Sequence, residues 1–446
     1  MTKKMENDNR IFIQIAAYRD PELVPTIKDC LDKAKHPERL RFGICWQHEP
    51  TDPWDAELAE FKNDPRFKII DVPWNQSKGA CWARNSIQEQ LYDGEEYTLQ
   101  LDSHHRFAQD WDETLIGWIK ELQAKGHRKP LLTSYVTPFN PEQHRGRQHD
   151  DMLEKNHALY LEFDRFTPEG CVFFKPHYID GTTFWAGNGK KFAELTSPIP
   201  CRFFSAHFAF TLGDMVREVP HDPNYYFHGE EISLAMRCYT HGYDLFTPHR
   251  NVIWHEYTRE YRTHKHWVDH VDENKEKLVD GLNWVDRNNI CHHRNRVLFE
   301  MDYDPNIVFG KYGKGKERTL QQYEEYAQLD FKKRCEILPD NKVRHASLLR
   351  WDEKQFHQAT DLDFVVCAVH NEQNDTLWRE DFNPTTKPFM WDRSITPTDS
   401  LREGYTKFAI SFTCDKEASP SKFILWPYSK SKGWLNKVEI PLSFGY

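Results

Sequence analysis

Residues 97–107 read YTLQLDSHHRF, a short apolar, β-prone run that stops at Asp102, with His104 two positions on. Alternate residues of a strand share a face, so a carboxylate and an imidazole at this spacing can converge at the strand's C-terminal end. Open α/β sheets bind their ligands there. One carboxylate and one imidazole suit Mn²⁺ or another divalent ion of mixed oxygen and nitrogen preference. The same alternation turns His105 away. In a chain with 23 histidines such a pair also arises by chance, so its meaning depends on the elements around it.

Other residues invite the same two-sided reading. Glu230 and Glu231 follow Gly229 at a helix start, where acids complement the helix dipole or face a ligand. Neighbouring helix positions point about 100° apart, so only one of the two faces a ligand comfortably. Lys78, Gly79 and Arg84 lie in a loop and helix start. There the glycine permits close backbone approach and the arginine can grip phosphate or sugar oxygens through two nitrogens. Either cation could equally be a solvated helix charge. His264 and His266 share a face but read as surface residues. GNGKK at Gly187 lacks the Walker spacing, and KYGKGK near Gly313 lacks a strand-to-helix setting, so neither is a nucleotide loop.

The elements that must position these groups alternate. Strands are expected at 10–17, 40–47, 67–72 and 97–101, with helices at 21–34, 77–92 and 112–125 between or after them. Asp20 is the expected N-cap of the first helix, ahead of Pro21. This alternation means a mostly parallel sheet in a three-layer α/β domain. From 137 to about 191 the periodicity fades, and so long an irregular stretch is more often functional than idle. Strand character resumes at 203–212. A helix follows at 230–240, a strand ends at His255, and a charged amphipathic helix is expected at 265–286. A short final helix is expected at 319–331. Beyond about 338 the pattern changes to short strands separated by turns, a small β-sandwich-like appendage.

The chain has 446 residues, 39% hydrophobic and 14% aromatic, enough for two or three domains with substantial cores. A net charge of −10, from 59 basic and 69 acidic residues, argues against nucleic acid as the main partner. The polar start MTKKMENDNR holds no apolar signal core, and no apolar run of about 18 residues occurs. A transmembrane segment is therefore not expected, while peripheral membrane association stays open. Ten scattered cysteines without a C-x-x-C pair read as reduced thiols of a cytoplasmic protein.

The motifs IAAYRDPEL, KGACWARN, YTLQLDSHHRF, FHGEEISLAMRCYTHGYDLFTP and IWHEYTR occur in that order between about 10 and 333. This order resembles the cytoplasmic N-acetylglucosaminyltransferases that modify hydroxyproline on a ubiquitin-ligase adaptor, and their bacterial relatives. The Asp102–His104 pair is similar to the Asp-x-Asp and Asp-x-His motifs with which nucleotide-sugar glycosyltransferases bind metal. The resemblance implies a GT-A fold over 1–338, with a C-terminal β-rich accessory domain over 339–446 that it does not account for. It implies a UDP-GlcNAc donor, a divalent metal (Mn²⁺, with Mg²⁺ the alternative) and retention of anomeric configuration. His255 becomes the third metal ligand beside Asp102 and His104. Tyr18, Arg19, Lys78, Gly79, Arg84, Gln100, Arg259 and Arg262 become donor-binding residues, with Glu230 and Glu231 near the reacting sugar. A hydroxyl on a protein, from hydroxyproline, Thr or Ser, is the implied acceptor. A transferase building a surface polysaccharide and a non-catalytic carbohydrate-binding protein are the rival readings.

Overall fold

The structure is a computed structural model and describes residues 9–141, 158–179, 192–351, 361–382 and 406–442. The GNGKK stretch and half of the irregular 137–191 segment lie outside these residues.

The first compact unit comprises residues 1–162, 175–298 and 304–323. Its elements are β1 Ile11–Tyr18, α1 Leu23–Lys33, β2 Leu40–His48, β3 Phe67–Pro73, α2 Ala80–Leu91, β4 Tyr97–Leu101, β5 His105–Phe107, α3 Trp111–Ala124, β6 Pro130–Thr133 and β7 Thr137–Pro138. After β8 Leu159–Phe166 and β9 Val172–Tyr178, whose residues 163–166 and 172–174 count with the second unit, come β10 Ile199–Pro200, β11 Phe208–Leu212, α4 Glu230–Thr240, β12 Asp244–Thr247, β13 Ile253–His255, α5 Trp284–Leu298 and α6 Leu320–Ala327, whose residues from 324 on also do.

The main sheet runs β10-β12-β6-β11-β4-β1-β2-β3. Strands β3, β2, β1 and β4 are parallel, and β11 lies antiparallel between β4 and β6. Strand β1, IFIQIAAY, is apolar almost throughout because a central parallel strand is covered on both faces. Ile11, Ile13 and Ile15 pack with Leu23, Ile27, Leu115 and Ile119 of α1 and α3, while Phe12 packs with Ala83 and Ile87 of α2. Helices thus cover both faces, the expected three-layer α/β arrangement. Gln14, the polar exception, donates to Thr98 Oγ1 at 2.8 Å across the β1–β4 pair. Because β1 lies between β2 and β4, the chain leaves it in opposite directions, and the crevice at its C-terminal end receives ligands.

Three expectations are corrected. The 137–191 segment contains β7, β8 and β9 rather than continuous irregular chain. The helix expected at 265–286 is replaced by a helical turn, His266–Asp269, a 3₁₀ turn, Asp272–Lys277, and a left-handed Gly281. The helix starts instead at Trp284 and buries Arg287, His292, Arg294 and Asn295, a polar inner face that hydrophobic periodicity does not register. The first helix begins at Leu23, with Asp20 Oδ1 accepting from the Glu22 backbone N–H at 3.0 Å.

The second compact unit comprises residues 163–174, 299–303 and 324–446. It is built on β14 Leu329–Asp330, β15 Cys335–Leu338, β16 Lys342–Trp351, β17 Leu362–His370, β18 Thr376–Phe382, β19 Thr406–Asp415, β20 Lys422–Ser429, β21 Gly433–Trp434 and β22 Val438–Pro441. One sheet pairs β15, β16 and β19; the other pairs β18, β17, β20 and β22. Their inner residues Val343, Val365, Cys367, Phe412, Phe423 and Leu425 form one core. This is the all-β organisation expected of the tail.

Candidate active site

Strand β4 ends at Leu101, and Asp102, Ser103 and His104 form the bend into β5. Strand alternation therefore does not orient the pair; the bend does. His255 arrives from β13, whose register places it opposite His105 of β5. One ligand atom each from Asp102, His104 and His255 then lies within 4.8 Å of the others. His255 Nε2 is 3.4 Å and His104 Nε2 3.8 Å from Asp102 Oδ2. His104 Nε2 is buried without a hydrogen-bond partner. An orphaned imidazole nitrogen aimed at a carboxylate and a second imidazole fits a divalent cation.

The surroundings keep these groups in ligand form. Burial opposes ionisation of Asp102, but the His255 contact and the Arg84 guanidinium hold its carboxyl well below the usual range. Burial, then the neighbouring His207, pushes His255 well below the usual imidazole range, so it is neutral. His104 Nδ1 donates to Asp20 Oδ2 at 2.8 Å. His105 is not one of the converging donors; its buried ring stands behind His255, centroids 4.9 Å apart.

Arg84, on the first turns of α2, donates to Asp102 Oδ1 at 2.5 Å and to Glu230 Oε1 at 2.6 Å. His221 Nδ1 meets the same Glu230 oxygen at 3.2 Å, and His221 Nε2 meets Gln100 Oε1 at 2.6 Å. Gln100, Glu230 and Arg84 thus form one buried chain that ends on Asp102. Glu231 is separate. Its carboxylate accepts from the Ala206 N–H at 2.9 Å and the Tyr135 hydroxyl at 2.8 Å, and burial pushes it up to about 7.

On the other side, the loop after β13 is folded around Glu256. The Glu256 N–H donates to the His104 carbonyl at 3.2 Å, and its carboxylate accepts from the Thr258 and Arg259 backbone N–H groups. Arg259 takes a left-handed φ of 54° and stacks over Trp267. Arg262 Nη1 donates to Asp20 Oδ2 at 3.3 Å. Both guanidiniums lie within electrostatic reach of Asp102.

At the end of β1, Arg19 also takes a left-handed φ, 45°. Such backbone conformations in non-glycine residues cluster at ligand sites. Asp52 grips Arg19 through two hydrogen bonds, and Asp269 accepts from both Arg19 and the Tyr18 hydroxyl. Lys78 faces Asp280 at 3.4 Å, and Gly79 caps α2 at a φ of 106°. His266, expected at the surface, is buried, its Nδ1 hydrogen-bonded to the Tyr226 hydroxyl at 2.9 Å. Reading the sequence missed Asp20, Tyr135, His207, His221, Glu256 and Tyr261 as parts of this network. Asp20 and Glu256 stood inside quoted motifs, IAAYRDPEL and IWHEYTR, but without a role in the site.

A family model described as Glycosyltransferase (GlcNAc) matches residues 10–67 and 55–333. Among solved structures, TarS 1–349 of S. aureus is 11% identical with a TM-score of 0.35, over 73% of this chain and 80% of that one. The same TarS fragment in complex with UDP-GlcNAc is 12% identical at 0.35, over 73% and 81%. A Pyrobaculum calidifontis mannosyltransferase in complex with GDP-Man and Mn²⁺ is 14% identical at 0.33, over 55% and 57%. No curated protein matches. With most of the chain, the whole α/β unit and its metal-suited centre included, matched by one family model, the protein is a member of the GlcNAc glycosyltransferase family.

Proposed function

We propose that the enzyme is a metal-dependent, retaining transferase that moves GlcNAc from UDP-GlcNAc to a hydroxyl, with hydroxyproline, Thr or Ser of a protein as the acceptor class. The observation that carries the reading is the convergence of Asp102, His104 and His255 beside Arg259 and Arg262. A divalent ion, Mn²⁺ or Mg²⁺, bound by those three side chains supplies positive charge where the leaving diphosphate gains negative charge. Arg259 and Arg262 add charge to the same leaving group. Arg84 keeps Asp102 ionised and aimed, and Gln100, His221 and Glu230 keep Arg84 aimed. Tyr18 and Arg19, held by Asp52 and Asp269, face the nucleoside end, while Lys78 and Gly79 open α2 beside it.

Retention needs no protein nucleophile when the leaving phosphate accepts the acceptor's proton. Glu231 then orients sugar or acceptor hydroxyls, the one acid of the pair that Arg84 does not hold. The ten cysteines are buried and outside any disulfide, and no helix among the described residues is long and apolar enough to cross a membrane. The reduced thiols support a cytoplasmic site of action. Incubating the protein and host lysate with isotopically labelled UDP-GlcNAc, then analysing by mass spectrometry, tests the acceptor. Label on protein hydroxyls is expected; label only in polysaccharide overturns the acceptor class. UDP-GlcNAc is expected to outcompete UDP-glucose, because a pocket that hydrogen-bonds the acetamide leaves polar groups unpaired when glucose enters. Equal turnover of the two donors removes the GlcNAc assignment.

A further inference from the structure

We propose that Asp20 is the positioning residue of the metal site. Its buried carboxylate fixes His104 as the Nδ1–H tautomer, which leaves Nε2 as the ligand atom, and holds Arg262 beside it. This rests on the metal-site reading above.

The Asp20 side chain is wholly buried. Its Oδ2 accepts from Ser103 Oγ at 2.6 Å, His104 Nδ1 at 2.8 Å and Arg262 Nη1 at 3.3 Å. Its Oδ1 accepts from the Glu22 backbone N–H at 3.0 Å and the Tyr261 hydroxyl at 3.0 Å. Ser103, Arg262, the Glu22 backbone N–H and Tyr261 all point donors at the carboxyl group, so both oxygens are acceptors. A neutral imidazole facing such a carboxylate carries its proton on Nδ1. The opposite nitrogen, His104 Nε2, is then a lone pair, and it is the buried atom without a partner. Carboxylates behind ligating imidazoles fix both tautomer and ring orientation in this way. The same carboxylate ties the end of β1 to Tyr261 and Arg262 of the loop after β13, so ligand and cation are set from one point.

Asp20→Asn separates this role from bulk. Rotating the amide puts its NH₂ group either against His104, Ser103 and Arg262 or against the Glu22 N–H and Tyr261, so no orientation satisfies every donor. Mn²⁺ affinity, read from the electron paramagnetic resonance signal of free Mn²⁺ without nucleotide, is expected to fall about 10- to 100-fold. Circular dichroism checks that the fold is kept, and Asp102→Ala is measured in parallel. If wild type and Asp102→Ala bind Mn²⁺ alike, the metal site itself is wrong. If Asp102→Ala loses Mn²⁺ and folded Asp20→Asn binds like wild type, the Asp20 inference alone is overturned. Should Asp20→Asn not fold, ¹⁵N shifts of the His104 ring in metal-free wild type, assigned with His104→Gln, decide the matter. Protonated Nδ1 is expected; protonated Nε2 overturns the inference.

Discussion

Asp102 stands where two demands meet, since one oxygen holds Arg84 and the other faces His104 and His255. Asp102→Asn keeps an acceptor for Arg84 but loses the charge a divalent ion needs. We expect it, like His255→Ala, to lower Mn²⁺-dependent UDP affinity and turnover on the order of 10²-fold or more, with the fold retained. Calorimetric titration of UDP with Mn²⁺ checks this; unchanged affinity in both variants would remove the site. Glu231 gives a stability prediction instead. Burial raises its folded pKa to about 7 from 4.5, so the folded state binds the extra proton between those values. Stability is therefore highest below the unfolded value and falls as pH rises towards the folded one. Glu231→Gln, which mimics the neutral acid, should lose that decline, a difference on the order of 1–3 kcal/mol at pH 8. Chemical denaturation at pH 4.5 and 8 measures it; parallel pH profiles would refute it. At this scale the Asp102–His104 spacing was legible because both ligands sit in one short motif. Asp20 was not, because its role comes from Arg262, Tyr261 and His104, far away in the chain, and Glu256 was not, because its carboxylate turns back on the N–H groups of its own loop, a fold that spacing does not reveal.

The strands were legible as elements because a parallel strand covered on both faces must be largely apolar, as IFIQIAAY is; Gln14, Thr98 and Gln100 are buried polar exceptions. Helices α1, α2 and α3 carried apolar stripes for the same reason. Helix α5 did not, since its inner face is made of arginine, histidine and asparagine held by partners such as Asp222 and Asp280. A buried face satisfied by hydrogen bonds leaves no hydrophobic period. Gly79 shows where one residue decides an element's placement. Its φ of 106° starts α2, and an added Cβ would stand 2.9 Å from the Tyr226 ring. That ring is tied to His266, so it yields at a cost. Gly79→Ala is expected to destabilise by about 1–3 kcal/mol from backbone strain and crowding. It should also weaken UDP binding, because α2 carries Arg84. Thermal unfolding with UDP titration tests both; a variant matching wild type in each would show that the glycine's conformation is not required.

Every candidate site residue from Tyr18 to Arg262 belongs to the first unit. The second unit, however, draws on chain from within the first 338 residues. Strand β16 pairs with Phe166, Arg344 donates to the Phe163 carbonyl at 3.2 Å, and Phe331 stacks on Phe299 with centroids 4.0 Å apart. A change of pattern near 338 was visible in the sequence because short apolar strands separated by turns, such as β17, β20 and β22, replace the helical periodicity. The contribution of 163–174 and 299–303 was not, since these short stretches take partners that lie elsewhere in the chain, such as β16 for Phe166 and Phe331 for Phe299. A fragment of residues 1–338 should therefore differ from the full chain in stability rather than in chemistry. It loses β16, and with it the partner of Phe166, a residue fully buried in the whole protein. Uncovering such aromatic surface costs on the order of 25 cal/mol for each Å² and favours association. We expect the fragment to melt at a lower temperature and to self-associate, yet to bind UDP with Mn²⁺ when folded. Thermal unfolding, light scattering and calorimetry on the fragment and the full chain measure the three properties. A monomeric fragment with the full chain's melting temperature would show that 163–174 does not depend on the tail. A folded fragment that no longer binds UDP would show that the donor site needs the second unit.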